Sequence, residues 1–312
     1  YSSAFGAESL LSNTTGSSNT AIGWRALKFN TTGSNNTSVG TDSMQFNTTG
    51  LCNVAVGQKA LCCNTTGGYN TTVGQGSMVN NTTGSCNTAI GNSALYNNLT
   101  GHGNNSIGAS SLKLNTSGFS NVAIGDRSLC SNTTGYENVA IGWGALRSNT
   151  GQVKNVAIGY SAAANSVQSY IVAIGNQALT ANTTGVGNTA IGNAALGLNT
   201  TASSNSAVGT QSLSSNTTGS NNTALGAYSL CCNTTAGNNT GIGTNALCLN
   251  TTGDLNTAVG SNALKVNTTG RYNTAVGTSA LIRNTTGSNN TALGMYAGYN
   301  VDSNNNIMLG CG

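Results

Sequence analysis

The glycines of a recurring N-T-A-I-G segment divide this chain into steps of 17 residues, from Gly6 to Gly159 and again from Gly175 to Gly294. Only two steps differ, with 16 residues from Gly159 to Gly175 and 16 from Gly294 to Gly310. A fixed period this short means one small unit copied end to end, which buries its apolar face only by stacking on its neighbours. The expected architecture is therefore all-β, a parallel β-solenoid of about 19 coils with a 17-residue repeat. It is read as a single array over 1–312, with a coil defect around 149–170.

Numbered from its first Asn, the unit reads N-T-A-(I/V/L)-G-x-x-A-L-x-x-N-T-T-G-x-x, and Asn273 to Asn289 is a regular copy, NTAVGTSALIRNTTGSN. Two Gly and several Asn and Thr per unit argue against a helix. T-A-I is read as one short strand and A-L as a second, with Gly and Asn marking turns where positive φ is cheap. Position 4 is aliphatic in nearly every coil (Ile22, Val39, Val56 and on to Leu293) and is expected to point inward. Position 9, Leu or Met (Leu27, Met44, Leu61), supplies the facing side of the core. Alternation along the strand then turns position 3, almost always Ala, outward. A small residue there fits either a tight site beside a turn or the close lateral approach of another chain.

The N-T-T-G column carries an N-x-(S/T) acceptor triplet at Asn13, Asn30, Asn47, Asn64, Asn81, Asn98, Asn115, Asn132, Asn182, Asn199, Asn216, Asn233, Asn250, Asn267 and Asn284. Two readings stand side by side. The column is a line of covalent N-glycans in a secreted chain, or an internal ladder of hydrogen-bonded Asn side chains. Sugars would explain how a surface with only 5% charged residues stays wet. The triplet is lost at Asn149 and Asn165, in the stretch that also holds Gln152, Lys154, Tyr160, Gln168 and Tyr170.

Nine Cys leave at least one without an intrachain partner. Cys231 and Cys248 share position 10 of adjacent coils, so their Cα atoms should lie about 4.8 Å apart, close enough for a disulfide. Metal binding is not expected, because His102 is the only His and CxxC pairs are missing. The carboxylates Glu8, Asp42, Asp126, Glu137, Asp254 and Asp302 are scattered over the coils, and no triad can be assembled, so the chain is read as a non-enzyme. Its ten Lys and Arg form no run, which speaks against nucleic acid, and its apolar runs are too short for membrane insertion. No leader pattern stands at Tyr1, and the chain begins and ends inside a repeat with Phe5 and Leu309 in the aliphatic column. Uncapped ends of that kind are expected to add further coils head to tail, as in a filament.

The NTAIGxxAL signature with its NTTG turns, over the whole chain, resembles the repeats of phage-type and microbial tail-fibre proteins that end in an intramolecular chaperone domain. It is similar, more distantly, to the head repeats of trimeric autotransporter adhesins, which share the AIGxxA core in a shorter repeat. The closing segment AGYNVDSNNNIMLG, 297–310, looks like the way such arrays run out. The resemblance implies an extracellular shaft or adhesive stalk on a cell or virion surface, usually a homotrimer, with a cell-surface or glycan target. This chain departs from those families in having no recognisable coiled coil, chaperone or anchor. A rival function is ice binding, through Thr columns at positions 2, 13 and 14.

Overall fold

The computed structural model of the chain describes residues 1–310. It divides into two compact units, Tyr1–Asn155 and Val156–Gly312, and the division falls inside the stretch where the repeat falters. Each unit is a parallel β-solenoid with one three-residue strand per coil. The first unit runs from β1 (Ser3–Phe5) to β9 (Val139–Ile141), and the second from β10 (Val156–Ile158) to β19 (Ile307–Leu309). Strands pair in parallel one coil on. Thr20 lies beside Thr37 and Ile22 beside Val39 in the first unit, and Thr257 beside Thr274 and Val259 beside Val276 in the second.

The strand is short because of what bounds it. Thr and Ile or Val at positions 2 and 4 favour extended backbone, and Gly at position 5 ends it. At Gly57 φ is +135°, and a Cβ there would lie 2.6 Å from the carbonyl oxygen of Gly74. No L side chain fits such a column. The glycine column at position 15 is less strict: its φ is not left-handed, and Ala202 and Ala236 stand in it while 1% exposed.

The expected second strand at A-L is a run of turns. The Ala26 amide donates to the Gly23 carbonyl (3.3 Å) and that of Asn30 to Leu27 (3.1 Å), while the Leu27 amide reaches Ser43 of the next coil (3.1 Å). Positive φ falls at positions 7, 9 and 17, as at Arg25 (56°), Leu27 (51°) and Asn35 (60°), and not at the Asn or Gly of NTTG. A left-handed Leu costs about 1–2 kcal/mol. Its full burial returns roughly 1.5–3 kcal/mol, which is why a Leu or Met rather than a polar residue can hold that conformation.

Position 9 is buried as expected, but positions 3 and 4 are inverted relative to the sequence reading. Ala21, Ala26 and Leu27 are 0% exposed, whereas Ile22 is 43%, Leu225 47% and Leu293 52% exposed. The interior of the coil brings the alanines of positions 3 and 8 into a space that admits methyl groups, and the larger aliphatic residue takes the outer side of the same strand.

The N-T-T-G arc stacks through a three-donor cradle. The amides of Thr31, Thr32 and Gly33 all point at the carbonyl of Thr48 in the next coil (2.9, 3.2 and 3.2 Å). Side chains fill the cradle where a 16-residue coil follows. Gln152 Oε1 accepts from the amides of Thr150 (2.9 Å) and Gly151 (3.2 Å). Asp302 Oδ1 accepts from the amides of Thr285 (2.8 Å), Thr286 (2.9 Å) and Gly287 (3.2 Å), and Thr285 Oγ1 donates to Asp302 Oδ2. A carboxylate thus replaces the position-13 carbonyl that serves this cradle in the regular coils.

Candidate functional site

The fifteen acceptor-triplet Asn form the internal ladder. Asn64 Nδ2 donates to Asn47 Oδ1 (2.7 Å) and to the Gly67 carbonyl (2.9 Å), and Asn64 Oδ1 accepts from Asn81 Nδ2 (2.7 Å). The pattern holds in the second unit, where Asn250 Nδ2 donates to Asn233 Oδ1 and Gly253 O, both at 2.9 Å. Fourteen of the column's Asn, from Asn30 to Asn284, are 0% exposed, and Asn13 in the first coil is half-buried. Nδ2 is the atom that a sugar would occupy. From Asn30 to Asn284 it is enclosed and both of its hydrogens are committed, whereas Asn13 in the first coil donates only to the Gly16 carbonyl; the geometry favours the ladder over the line of sugars.

A second Asn ladder runs along position 1. Asn36 Oδ1 accepts from the Asn53 main-chain amide (3.0 Å) and from Asn53 Nδ2 (3.2 Å), while Asn36 Nδ2 reaches across its own coil to the Gly50 carbonyl (2.9 Å). The Gly50 carbonyl also accepts from Asn47 Nδ2 (3.0 Å). Both ladders thus converge on the position-15 carbonyl and tie the strand side of the coil to the turn side. At the defect the ladder residues change: Ser166 accepts from Asn182 Nδ2 (3.2 Å), Ile171 replaces the position-1 Asn, and Ala163 replaces the Leu, both 0% exposed.

The outward face carries position 2 beside position 4, a repeating T-x-(I/V/L) surface with no charged residue at either position in any coil. Its aliphatic column lies in register from coil to coil, as in Ile90 beside Ile107 and Leu225 beside Ile242. Of the Thr columns, position 13 is committed internally, as in Thr31 Oγ1 donating to the Thr48 carbonyl (3.1 Å). Position 14 is exposed, as at Thr32 and Thr49.

Four of the carboxylates sit in separate local pairs. Glu8 contacts Lys28 (2.7 Å), Asp42 contacts Arg25 (2.8 Å), Asp254 contacts Arg271 (3.4 Å) and Glu137 contacts Lys154 (3.8 Å). The hydrogen bond from Lys28 lowers the Glu8 carboxyl. Hydrogen bonds from Thr285 and from backbone amides hold Asp302 at about 2. His102 stacks on Phe119 at 5.1 Å and Phe119 on Tyr136 at 4.7 Å, an aromatic column at position 16. Among the described residues no three His, Cys, Asp or Glu stand where they could hold a metal ion, and no helix is long and apolar enough to cross a membrane.

Cys231 Sγ and Cys248 Sγ face each other as thiols at 3.0 Å, with Cys232 Sγ 3.7 Å from Cys231. The hydrogen bond from Cys231 brings Cys248 down to about 7, and the same contact with burial pushes Cys231 up. The juxtaposition read from position 10 is thus in place. Cys311 lies outside the described residues.

Sequence reasoning found the N-T-T-G column as one of two readings, and missed both the position-1 ladder and the outward face. The signal for that face was present in the small residues at positions 3 and 8, which together describe a narrow interior. A scan against protein-family models matches none, and a search of the curated proteins returns no match.

Proposed function

We propose that the chain is part of an extracellular structural or adhesive fibre, non-catalytic, whose coils stack into a shaft and whose T-x-(I/V/L) face is covered by further copies of the same chain. The carrying observation is the aliphatic column on the outside of the strand. Strands spaced about 4.8 Å apart and three residues wide present roughly 50 Å² each, so the strands β10 to β19 of the second unit offer roughly 500 Å² and a pair of copies would bury about 1,000 Å² in total, the size at which a specific interface begins. The occupant is a second copy because the surface has a fixed period, which another copy of the same solenoid matches coil for coil. The face also lacks the charge that would select a nucleic acid or an acidic partner. Three copies around a common axis, as the resemblance implies, would close the face on itself.

The test has two parts. Sedimentation of the purified chain should show a discrete oligomer that Ile90→Lys together with Ile242→Lys dissociates into folded monomers. A wild-type monomer at micromolar concentration contradicts lateral assembly. Immunogold labelling of intact source cells or particles should decorate their surface, and label found only after permeabilisation contradicts the extracellular assignment. Ice binding is the second reading, favoured by one observation: position 2 is Thr or Ser in every coil from Thr189 to Thr291 and lies on the outward face. Thermal hysteresis of the monomeric double-Lys variant compared with wild type separates the two readings.

A further inference from the structure

Outside the NTTG column, four acceptor triplets share coil position 17: Asn35-Asn36-Thr37, Asn221-Asn222-Thr223, Asn238-Asn239-Thr240 and Asn289-Asn290-Thr291. All four leading Asn are exposed. All four have left-handed backbone, with φ between 58° and 61°. Each is fixed through its main chain, the amides of Asn35, Asn221, Asn238 and Asn289 donating to Ser17, Ser203, Ser220 and Arg271 at 2.9 to 3.1 Å. No hydrogen bond among the described residues involves their side-chain amides. This is the reverse of the NTTG column from Asn30 to Asn284, where the amide is buried and doubly bonded. The remaining triplets are committed as well: Asn36, Asn70 and Asn104 belong to the buried position-1 ladder, and Asn80 Nδ2 donates to Asn97 Oδ1 (2.9 Å).

We propose that Asn35, Asn221, Asn238 and Asn289 are the positions at which this fold accepts N-linked oligosaccharide. The proposal rests on the extracellular reading above. Asn suits position 17 for backbone reasons too, since it tolerates the left-handed region better than most residues. The same turn that selects Asn also points its amide to solvent, with the required Thr two residues on. Transfer from a lipid-linked diphospho-oligosaccharide forms a bond between Nδ2 and the anomeric carbon of the first sugar. It breaks that carbon's bond to the diphosphate and releases lipid diphosphate and one amide proton. The product keeps every ladder bond. A sugar on Asn64 would instead displace at least one of its two donated bonds and would have to occupy the space between Asn47 and Gly67.

The test is expression of the full chain through the secretory pathway of a glycosylating host. The folded, protease-resistant fraction is then treated with a glycan-specific amidase in ¹⁸O water and mapped by mass spectrometry. Heavy Asp is expected at 35, 221, 238 and 289 and at none of the fourteen buried NTTG positions from Asn30 to Asn284. Absence of label from all four, or label at any of those fourteen Asn in that fraction, overturns the proposal. The quadruple variant N35Q/N221Q/N238Q/N289Q should lose all glycan mass, and retained glycan is equally fatal. Because the host is chosen, these results report acceptor competence alone, whereas surface labelling of the native source reports location.

Discussion

The strand side and the ladder side of a single coil reverse the usual rule in opposite ways, one exposing its large aliphatic residues and the other burying its polar ones. On the ladder side, Asn47 and Asn64 are 0% exposed; on the strand side, Ile22 is 43% and Leu293 52% exposed. The difference follows from what each side must satisfy. Coils joined through turns leave main-chain groups such as the Gly50 carbonyl facing inward, and a buried carbonyl without a donor costs about 1–3 kcal/mol. A neutral carboxamide is both donor and acceptor, so it can answer that carbonyl and still pass a hydrogen bond to the same residue one coil on, without limit. Asp could not donate, and stacked Asp would repel. Asn therefore takes the interior, while the aliphatic residue, with no bond to offer, stands on the open face.

The largest effect is expected where the ladder is cut. Asn64→Ala orphans Asn47 Oδ1 and takes one partner from Asn81, which should cost about 3–5 kcal/mol in denaturant unfolding. The isosteric Asn64→Asp should be at least as harmful because it removes the donor and adds a buried charge. A cost below about 1 kcal/mol for both would break the contrast between the two sides. Gly243→Ala, at φ +128°, should destabilise more than Gly219→Ala: a Cβ meets a carbonyl oxygen of the next coil at both, but only Gly243 has left-handed backbone, and Ala202 and Ala236 already stand in the Gly219 column. Equal thermal shifts would contradict the account of the two glycine columns.

Oxidation of Cys231 and Cys248 closes a loop of one coil and is expected to add roughly 3 kcal/mol. Oxidised glutathione should lower the intact mass by about 2 Da for this pair, the two hydrogens lost when a disulfide forms, with Cys231→Ser abolishing the gain. At the last turn, Asp302 has its pKa depressed to about 2 from the ordinary aspartate value. A depressed carboxyl contributes stability above its unfolded value near 4, and that contribution is lost as pH falls through about 2. Protection of the amides of Thr285 and Thr286, read by hydrogen exchange, should therefore fade over that window and be missing in Asp302→Ala at all pH values. The smallest effect on the single chain is expected on the open face: Ile90→Thr should change monomer stability by less than about 1 kcal/mol while weakening self-association.

The period made the fold legible, because a strand at T-A-I in every coil follows from the spacing alone, and β2 (Thr20–Ile22) and β17 (Thr274–Val276) fall where the pattern puts them. The facing of that strand was not legible from hydrophobicity. Ranking Ile above Ala places Ile inside, but the interior between Ala21 and Ala26 has no room for it. Nor was the left-handed backbone at Leu27 or Leu61, since only burial offsets the cost of that conformation for a Leu. The NTTG column stood out as a column, yet its sequence is the same whether the amide carries a sugar or a neighbouring coil. Position 17 escaped notice because it varies from Asn35 to Cys52 to Tyr69, and variation marks it as outward only once the turn is known.

Side-chain amide exchange reports the ladder most directly. In chain labelled with ¹⁵N at Asn, the carboxamides of positions 1 and 12, such as Asn36 and Asn64, should exchange as slowly as strand backbone amides. Those of Asn35, Asn221, Asn238 and Asn289 should exchange at the rate of free solvent-exposed amides and serve as controls within the same molecule. Uniformly fast exchange of all Asn carboxamides in the folded chain would mean that the ladders are not buried, and the inside-out coil would fall with them.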